Sequence, residues 1–167
     1  MGKCASRNGG LRGLLCLGAA LCIAAPAYGD CGPGTVELRN PAGAVVRFSV
    51  EIADSEAERS QGLMHRERMA SSAGMLFVYD GPRHAWFWMK NTLIPLDIIF
   101  ADETGRVTRV HDRAVPLDET GIDGGVGVAF VLEINGGLAA RLGLTAGSVL
   151  RAAVIAQERA AWPCDGS

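Results

Sequence analysis

The segment that decides the fold is also the most unusual in composition, and it reads His84-Ala85-Trp86-Phe87-Trp88-Met89-Lys90-Asn91-Thr92-Leu93-Ile94-Pro95-Leu96-Asp97. In an extended strand, successive side chains point to opposite faces of the sheet. Residues 84–90 then divide between two faces. The apolar core face carries Ala85, Phe87 and Met89. The second face carries His84, Trp86, Trp88 and Lys90. Two indoles and an ammonium group indicate either burial under a second sheet or a groove that contacts a ligand.

A second strand is predicted directly after this one. Ile94-Pro95 requires an extended or turning backbone, after which Leu96, Ile98 and Phe100 resume the alternation, with Asp97 on the opposite face. If the two strands form a hairpin, Asp97 returns towards Lys90 or Asn91. Two interpretations remain open at this point: a structural Lys90–Asp97 ion pair with Asn91 completing the turn, or a functional site.

Residues 1–27 have the pattern of a secretory signal peptide. Lys3, Arg7 and Arg12 form a basic start, an apolar run follows over residues 14–25, and small residues allow cleavage after Ala27. The apolar run is too short to span a membrane. We therefore expect a periplasmic or secreted protein that is not membrane-embedded after cleavage, with an uncleaved anchor as the alternative.

The net charge and the length of the remaining chain limit its possible partners and its number of domains. The signal segment holds three of the 16 basic residues and none of the 18 acidic ones, which leaves 13 against 18, a net charge of −5. Such a balance argues against a nucleic-acid partner, which requires a basic surface. We expect one monomeric β-rich domain over residues 28–156 and a C-terminal tail over residues 157–167.

Two of the five cysteines remain after the signal segment, Cys31 and Cys164. A disulfide persists in an oxidising compartment, and the two ends of a domain often lie close together. We therefore predict a Cys31–Cys164 disulfide, with two unpaired cysteines on frayed termini as the alternative. A redox-active pair is not indicated, because the chain lacks the Cys-x-x-Cys spacing.

Two short helices are predicted in the connections between strands. Ser55 and Glu58 have the spacing of a capping box, and Gly62 is a natural stop for that helix. Residues 138–142 form the second helix, which ends at Gly143. Asp80-Gly81-Pro82 is expected to form a turn between a strand at residues 75–79 and the strand at residues 84–90.

The whole pattern predicts a mostly β fold. We count about eight short strands with no regular βαβ alternation. An antiparallel β sandwich or barrel-like domain with two short helices in its connections follows from that pattern.

No familiar catalytic motif is present. The chain lacks Gly-x-Ser-x-Gly, a phosphate-binding glycine loop and His-Glu-x-x-His. Its three histidines are scattered, and its methionines are more typical of core packing than of a copper site. We therefore predict no metal and no cofactor.

Lys90 is the one lysine after the signal segment, where arginine occurs twelve times. Lysine and arginine are not interchangeable in tight sites, so a lysine beside two tryptophans indicates a specific use of its ammonium group, with chance as the alternative. Residues 126–134 are predicted to form a strand. Within it, Glu133 lies on the face opposite to that of its neighbours Leu132 and Ile134.

Several motifs together resemble one family. Phe87-Trp88-Met89-Lys90-Asn91-Thr92 followed by Ile94-Pro95-Leu96-Asp97 is similar to the hallmark of the uncharacterised Domain of Unknown Function 192. The flanking motifs agree with it and comprise Glu58-Arg59, Gly62-Leu63-Met64, Gly74-Met75-Leu76-Phe77, Val131-Leu132-Glu133-Ile134-Asn135, Gly143 and Gly147. The resemblance covers roughly residues 35–155. It implies a mostly β, often exported domain, with no established activity and no catalytic residues to carry over.

Two hypotheses for function follow. The first is a periplasmic binding or accessory module whose groove, formed by Trp86, Trp88, Lys90 and Asn91, binds a sugar, a peptide or an anionic small molecule, or contacts a protein partner. The second is an enzyme of unknown reaction in which Lys90, Asp97 and Glu133 converge as acid and base groups. We favour binding over catalysis. The candidate ligand-binding residues are therefore Trp86, Trp88, Lys90, Asn91, Asp97 and Glu133.

Overall fold

A computed structural model describes residues 31–164, so the predicted signal peptide and the last three residues lie outside the described part. Nine elements follow one another along that part. They are β1 (Thr35–Arg39), β2 (Val45–Ala53), α1 (Glu56–Gln61), β3 (Ala73–Phe87), β4 (Leu96–Ala101), β5 (Val107–Ala114), β6 (Ile122–Asn135), α2 (Leu138–Leu142) and β7 (Val149–Arg151).

The seven strands form one mixed sheet in the order β5-β4-β6-β3-β2-β1-β7. The sheet curls into a half-barrel, and its two edge strands meet at one corner. There, the Val107 N–H donates to the Ser148 carbonyl at 2.8 Å and the Leu150 N–H donates to the Gly105 carbonyl at 2.7 Å. The predicted mostly β fold with two short helices is confirmed, but the domain is one curled sheet and not a sandwich of two.

The prediction of a purely antiparallel sheet is wrong at one pair of strands. β2 and β3 run parallel, with Ser49 opposite Ala73 and Ala53 opposite Phe77. A parallel pair requires a crossover of a dozen residues or more, and residues 54–72, which include α1, supply it. The capping box of α1 is present as predicted, because Ser55 accepts from the Glu58 N–H while the Glu58 carboxylate accepts from the Ser55 N–H.

The turn predicted at Asp80-Gly81-Pro82 is instead an irregularity within β3. Val78 pairs with Phe130 and Arg83 with Val128, so four residues of β3 lie opposite one residue of β6. A bulge accommodates proline because its residues do not need every ladder hydrogen bond. The two strands predicted on either side of the turn are therefore one long strand, and the predicted hairpin between residues 84–90 and β4 does not form, since β4 pairs with β5 and β6.

Apolar side chains cover both faces of the sheet. One cluster includes Leu76, Ile99 and Leu132, and packs against α2. The other includes Met75, Phe100 and Val131 and lies on the opposite face. Alternate residues of the central strands belong to different clusters, as the two-residue period of a strand requires.

The two ends of the described part are joined. Cys31 and Cys164 form a disulfide with a Cα–Cα distance of 5.4 Å. Residues 157–164 lie against the sheet, where the buried Trp162 ring is flanked by the guanidinium groups of Arg39 at 4.6 Å and Arg151 at 4.2 Å. This end of the chain is therefore held both by a covalent bond and by cation–π contacts.

Candidate functional site

The segment that contains the tryptophans, the end of β3 and the start of the loop after it, alternates between buried and exposed side chains as its sequence predicts. Ala85 and Met89 are buried, whereas Trp86 is 60% exposed and Trp88 is 48% exposed. Large aromatic side chains contribute much burial energy when they enter a core. Two indoles left in solvent on the same side of one segment therefore indicate a contact surface.

The loop after β3 is fixed by backbone hydrogen bonds. The Met89 N–H donates to the Asp118 carbonyl at 2.9 Å, and the Thr92 N–H donates to the Met89 carbonyl at 3.1 Å. Asn91 has a left-handed φ of 54°, which asparagine tolerates better than most residues. Its carbonyl accepts from the His65 N–H at 2.8 Å. Asn91 thus positions the loop beside α1.

Lys90 lies at the end of this surface. Its Nζ is 5.0 Å from the centre of the Trp88 ring, within the range of a cation–π contact. The ion pairs within residues 31–164 do not include Lys90. The predicted structural pair between Lys90 and Asp97 is therefore wrong.

Asp97 is fully buried on the other side of the sheet. It pairs across the strands with Ile134, which belongs to the cluster packed against α2. Its carboxylate accepts the backbone N–H groups of Arg113 at 2.8 Å, Gly137 at 2.8 Å and Ala139 at 2.6 Å. These contacts hold β5 and the start of α2 to β4, so the structure separates Asp97 from Lys90.

Glu133 has a contrasting environment on the opposite face. Its neighbours across the sheet are Met75 and Ile98, both in the second apolar cluster. The residue is 5% exposed, and within residues 31–164 its carboxyl group forms no hydrogen bond. Burial without a compensating charge raises the pKa of Glu133 from 4.5 to about 8. At neutral pH its carboxyl group is therefore mostly protonated and able to donate.

A small pocket of about 90 Å³ opens above Glu133, and we call it the Glu133 pocket. The end of α1 and the following loop form one wall, and the end of β3 with the loop after it forms the other. Its walls comprise Arg59, Ser60, Gln61, Gly62, Leu63, Met64, Phe77, Tyr79, Trp86, Phe87, Trp88, Lys90 and Thr92. Lys90, Trp86, Trp88 and Glu133 therefore come together as the sequence suggested, whereas Asp97 and Asn91 do not line the pocket.

The ligand-binding candidates identified from the sequence include neither Tyr79 nor Arg59. The Arg59 guanidinium lies 5.3 Å from the Tyr79 ring and donates to the Val78 carbonyl at 2.9 Å. Burial raises the pKa of Tyr79, and the nearby Glu133 adds to that rise, while Arg83 and Arg59 oppose it. Only the pairing of β3 with β6 brings Tyr79 near Glu133, so no local signal could identify it.

A second and larger groove of about 430 Å³ adjoins the first, and Trp86 lines both. We call it the Trp86 groove. Its other walls are Met89, Arg109, His111, Val115, Asp118, Thr120, Gly121, Ile122 and Asp123. The Trp86 ring is held between the His84 ring, 5.4 Å away, and Gly121, where a Cβ atom would lie 3.2 Å from the indole.

His84 and Asp123 form a side-chain pair at the edge of the Trp86 groove. The His84 Nε2 atom lies 2.7 Å from the Asp123 carboxylate. The Gly125 N–H donates to the same carboxylate, and this bond together with His84 lowers the pKa of Asp123. The pair fixes the orientation of His84, which in turn supports the Trp86 ring.

The described part contains neither a metal-binding cluster nor a membrane-spanning helix. Residues 31–164 contain no group of three His, Cys, Asp or Glu side chains arranged to hold a metal ion. Within the same range, neither helix has the length and apolarity that crossing a lipid bilayer requires.

Comparison with known proteins gives one matching family model. The family model of Domain of Unknown Function 192, described as an uncharacterized ACR, matches residues 38–152. No curated protein matches the chain.

Three solved chains resemble the protein. One, from Sinorhizobium meliloti 1021, carries the description of a candidate transcription regulator; it is 41% identical, with a TM-score of 0.69 over 70% of this chain and 91% of the other. Another, a protein of unknown function from Novosphingobium aromaticivorans DSM 12444, is 43% identical, with a TM-score of 0.68 over 70% of this chain and 83% of the other.

Proposed function

The chain belongs to the Domain of Unknown Function 192 family, and from this premise we propose that it is a small-molecule binding protein whose ligand enters the Glu133 pocket and rests on the indoles of Trp86 and Trp88. One observation carries the proposal. Glu133 is 5% exposed, its carboxyl group has no hydrogen-bond partner within residues 31–164, and the residue lines a pocket open to solvent. Buried polar groups without partners are rare in folded proteins because they are costly. A ligand that bonds to Glu133 accounts for such a group.

The surroundings of the pocket support binding. Aromatic surface beside a few convergent polar groups is typical of small-molecule sites. Trp88 and Trp86 provide that surface, and Lys90 and Tyr79 provide polar groups. The pocket volume of about 90 Å³ is well below the roughly 300 Å³ at which drug-sized ligands are enclosed. We therefore propose that only one end of the ligand enters the pocket.

Titration of the protein with a panel of periplasmic metabolites, followed by tryptophan fluorescence and thermal shift, tests this proposal. We expect at least one compound to quench fluorescence and raise the melting temperature. Trp88→Ala should abolish both responses, with Trp86 still present as a reporter. Leu93→Ala is the matched control, because Leu93 is an exposed apolar residue of the same loop that does not line the pocket. Equal responses from both variants would contradict the proposal.

We also propose that the protein acts in the periplasm or outside the cell. The signal-peptide pattern of residues 1–27 supports export, and the Cys31–Cys164 disulfide suits an oxidising compartment. N-terminal sequencing of protein from the periplasmic fraction should begin at Tyr28. A mature chain that still starts at Met1 would contradict cleavage.

Acid–base catalysis is a second candidate, favoured by one observation. A carboxyl group with a pKa of about 8 is suited to donating a proton near neutral pH. Glu133 would act with Lys90 or Tyr79, since Asp97 lies on the opposite face of the sheet. Wild-type protein but not Glu133→Gln should then convert a bound metabolite to a product that mass spectrometry detects. A compound that binds both proteins and remains unchanged would exclude this candidate for that ligand.

Nucleic acid is not part of the proposal. The name of the Sinorhizobium protein belongs to that protein, and this chain has 16 basic and 18 acidic residues. Non-specific affinity for DNA comes from an excess of positive charge on one surface. We propose that the partner is a small molecule.

A further inference from the structure

We infer that the group entering the Glu133 pocket is the carboxylate of an organic anion, held by Lys90 together with hydroxyl donors from Glu133 and Tyr79. This inference rests on the proposed binding function and names the chemical class of its ligand. The charge of the pocket, the protonation of its side chains, their hydrogen-bond partners and the pocket volume all favour such a ligand.

The charges of the pocket favour an anion. Two cationic residues, Arg59 and Lys90, line it, and Glu133 is its one acidic residue. The Arg59 guanidinium donates to the carbonyls of Asp54 and Val78 and pairs with no carboxylate within residues 31–164. Lys90 likewise forms no ion pair there. An incoming carboxylate therefore meets two positive charges that no acidic side chain of the described part neutralises.

The protonation states of the side chains that line the pocket also favour a ligand group that accepts hydrogen bonds. The titratable groups that line the pocket with Glu133 are Arg59 from α1, Tyr79 from β3 and Lys90 from the loop after β3, while its neighbours across the sheet, Met75 and Ile98, are apolar. Burial raises the pKa of both Glu133 and Tyr79. At neutral pH each therefore carries an O–H that can donate. A hydrogen bond from a neutral acid to a carboxylate is among the stronger kinds in proteins.

Glu133 has no alternative use that the structure reveals. Asp97 and Glu37, the other buried carboxylates, are both occupied: three backbone N–H groups bond Asp97, and Arg47 and Arg151 bond Glu37. Of these three carboxyl groups, only that of Glu133 has no hydrogen-bond partner within residues 31–164, and it lines a pocket. An ammonium ligand could also bond to the Glu133 carboxyl group, but the positive charges of Lys90 and Arg59 would repel it.

The size of the pocket limits the ligand to one inserted end group. About 90 Å³ accommodates a carboxylate but not a drug-sized molecule, which needs roughly 300 Å³ or more. The remainder of the ligand then lies on the exposed Trp88 and Trp86 rings and extends towards the Trp86 groove, which offers about 430 Å³. The ligand is thus an organic acid with a ring or apolar body.

Two matched sets of probes separate the possible classes. Glucuronate, glucose and glucosamine share one body and carry a carboxylate, no charge or an ammonium group; phenylacetate, phenylacetamide and phenethylammonium form the second set. The readout is the indole N–H signals of Trp86 and Trp88 in NMR titrations of the mature protein. The indole of Trp162, buried near the C-terminus, is the internal control.

We expect the carboxylate of at least one set to bind about tenfold more tightly than its neutral twin, as charge-assisted hydrogen bonds predict. Its affinity should be constant between about pH 6, where the ligand is fully ionised, and pH 8. It should then fall by about tenfold per pH unit, because the ionised Glu133 repels the ligand. Ammonium binding would show the opposite trend and rise with pH up to about 8.

Variants distinguish the role of Glu133 from that of Lys90. Glu133→Gln keeps a donor that does not titrate, so it should retain binding at pH 7 and lose the fall above pH 8. Lys90→Met removes the charge and retains the aliphatic stem, so it should weaken carboxylate binding about tenfold or more. Arg141→Met removes an exposed cation of α2 as a control for net charge and should change nothing.

The outcomes separate this inference from the proposed function. If glucose or an ammonium twin binds as tightly as the carboxylate, the ligand class is wrong and the binding function stands. If none of the six probes shifts the Trp86 or Trp88 signals at tens of millimolar, the ligand class is wrong, and the metabolite panel decides the binding function separately. An independent measurement needs no ligand: a ¹³C NMR titration that gives Glu133 a pKa below 5 would overturn the inference alone.

Discussion

Asp97 and Glu133 lie on neighbouring strands, one position apart in the register of β4 and β6, and differ in almost everything except burial. Both residues are buried, with exposed fractions of 0% and 5%. Asp97 faces α2 and accepts three backbone hydrogen bonds. Glu133 faces the pocket and accepts none within residues 31–164. The sheet between them places the two acids in separate environments.

The difference shows that burial alone does not identify a functional acid. An acid whose lone pairs are met by fixed donors stabilises the fold, because it satisfies backbone groups that would otherwise be buried without partners. An acid that is buried without partners weakens the fold unless it stays protonated. Such a cost is retained at sites that bind or react. Three variants test this contrast.

The largest effect is expected from Asp97→Ala. This substitution leaves the N–H groups of Arg113, Gly137 and Ala139 without their acceptor, and each buried orphan costs about 1–3 kcal/mol. We expect the free energy of unfolding to fall by about 4 kcal/mol in urea denaturation. Asp112→Ala, at an exposed position, is the control and should change it by less than about 0.5 kcal/mol. A loss below about 1 kcal/mol for Asp97→Ala would remove the distinction between the two acids.

Glu133→Gln should have the next largest effect and the opposite sign. The unfolded chain loses the Glu133 proton near pH 4.5, whereas the folded protein keeps it to about pH 8. Between these values the folded state binds more protons, so the stability that Glu133 contributes is complete below pH 4.5 and is lost as pH rises to 8. The slope is about 1.4 kcal/mol per pH unit.

Relative to wild type, Glu133→Gln should therefore gain about 3 kcal/mol between pH 4.5 and pH 7. Urea denaturation of both proteins at several pH values measures this gain, since other titrating groups contribute equally to both. Glu119→Gln makes the same chemical change at an exposed position and should track wild type. Parallel pH profiles for wild type and Glu133→Gln would mean that Glu133 is ionised in the folded protein.

The smallest effect on stability is expected from Trp88→Ala. Because this indole is half exposed, its loss should change the free energy of unfolding by less than about 1 kcal/mol. It also opens the pocket to water, so the raised pKa of Glu133 should fall by roughly one unit. Measuring that pKa by ¹³C NMR distinguishes a pocket closed by Trp88 from one closed by other walls. Met89→Ala, at the adjacent buried position, should instead cost about 3 kcal/mol.

Much of the fold follows from local pattern. The alternation at residues 84–90 correctly divided buried Ala85 and Met89 from exposed Trp86 and Trp88, and the capping box located α1. Two expectations failed because they depended on distant pairing. Asp80-Gly81-Pro82 has the composition of a turn, yet pairing with β6 on both sides keeps it within β3. The parallel pairing of β2 with β3 cannot be recognised from the sequence of either strand, because it results from the crossover over residues 54–72.

The candidate site likewise has features that the sequence predicts and features that it does not. Exposed tryptophans and an isolated lysine are visible in the sequence, because a strand fixes which face a side chain takes. The partners of an acid are not visible, because they come from other strands. The enzyme hypothesis therefore joins Asp97 and Glu133 in one site, whereas the sheet separates them.

The sequence by itself determined the family, the two-residue alternation and the surface on which the indoles lie, because these depend on neighbouring residues and on the geometry of a single strand. The tertiary structure decided which carboxyl group is satisfied and which is not. Desolvation and hydrogen bonding depend on atoms brought together from distant parts of the chain: β3, β6 and α1 for Glu133, and β4, β5 and α2 for Asp97.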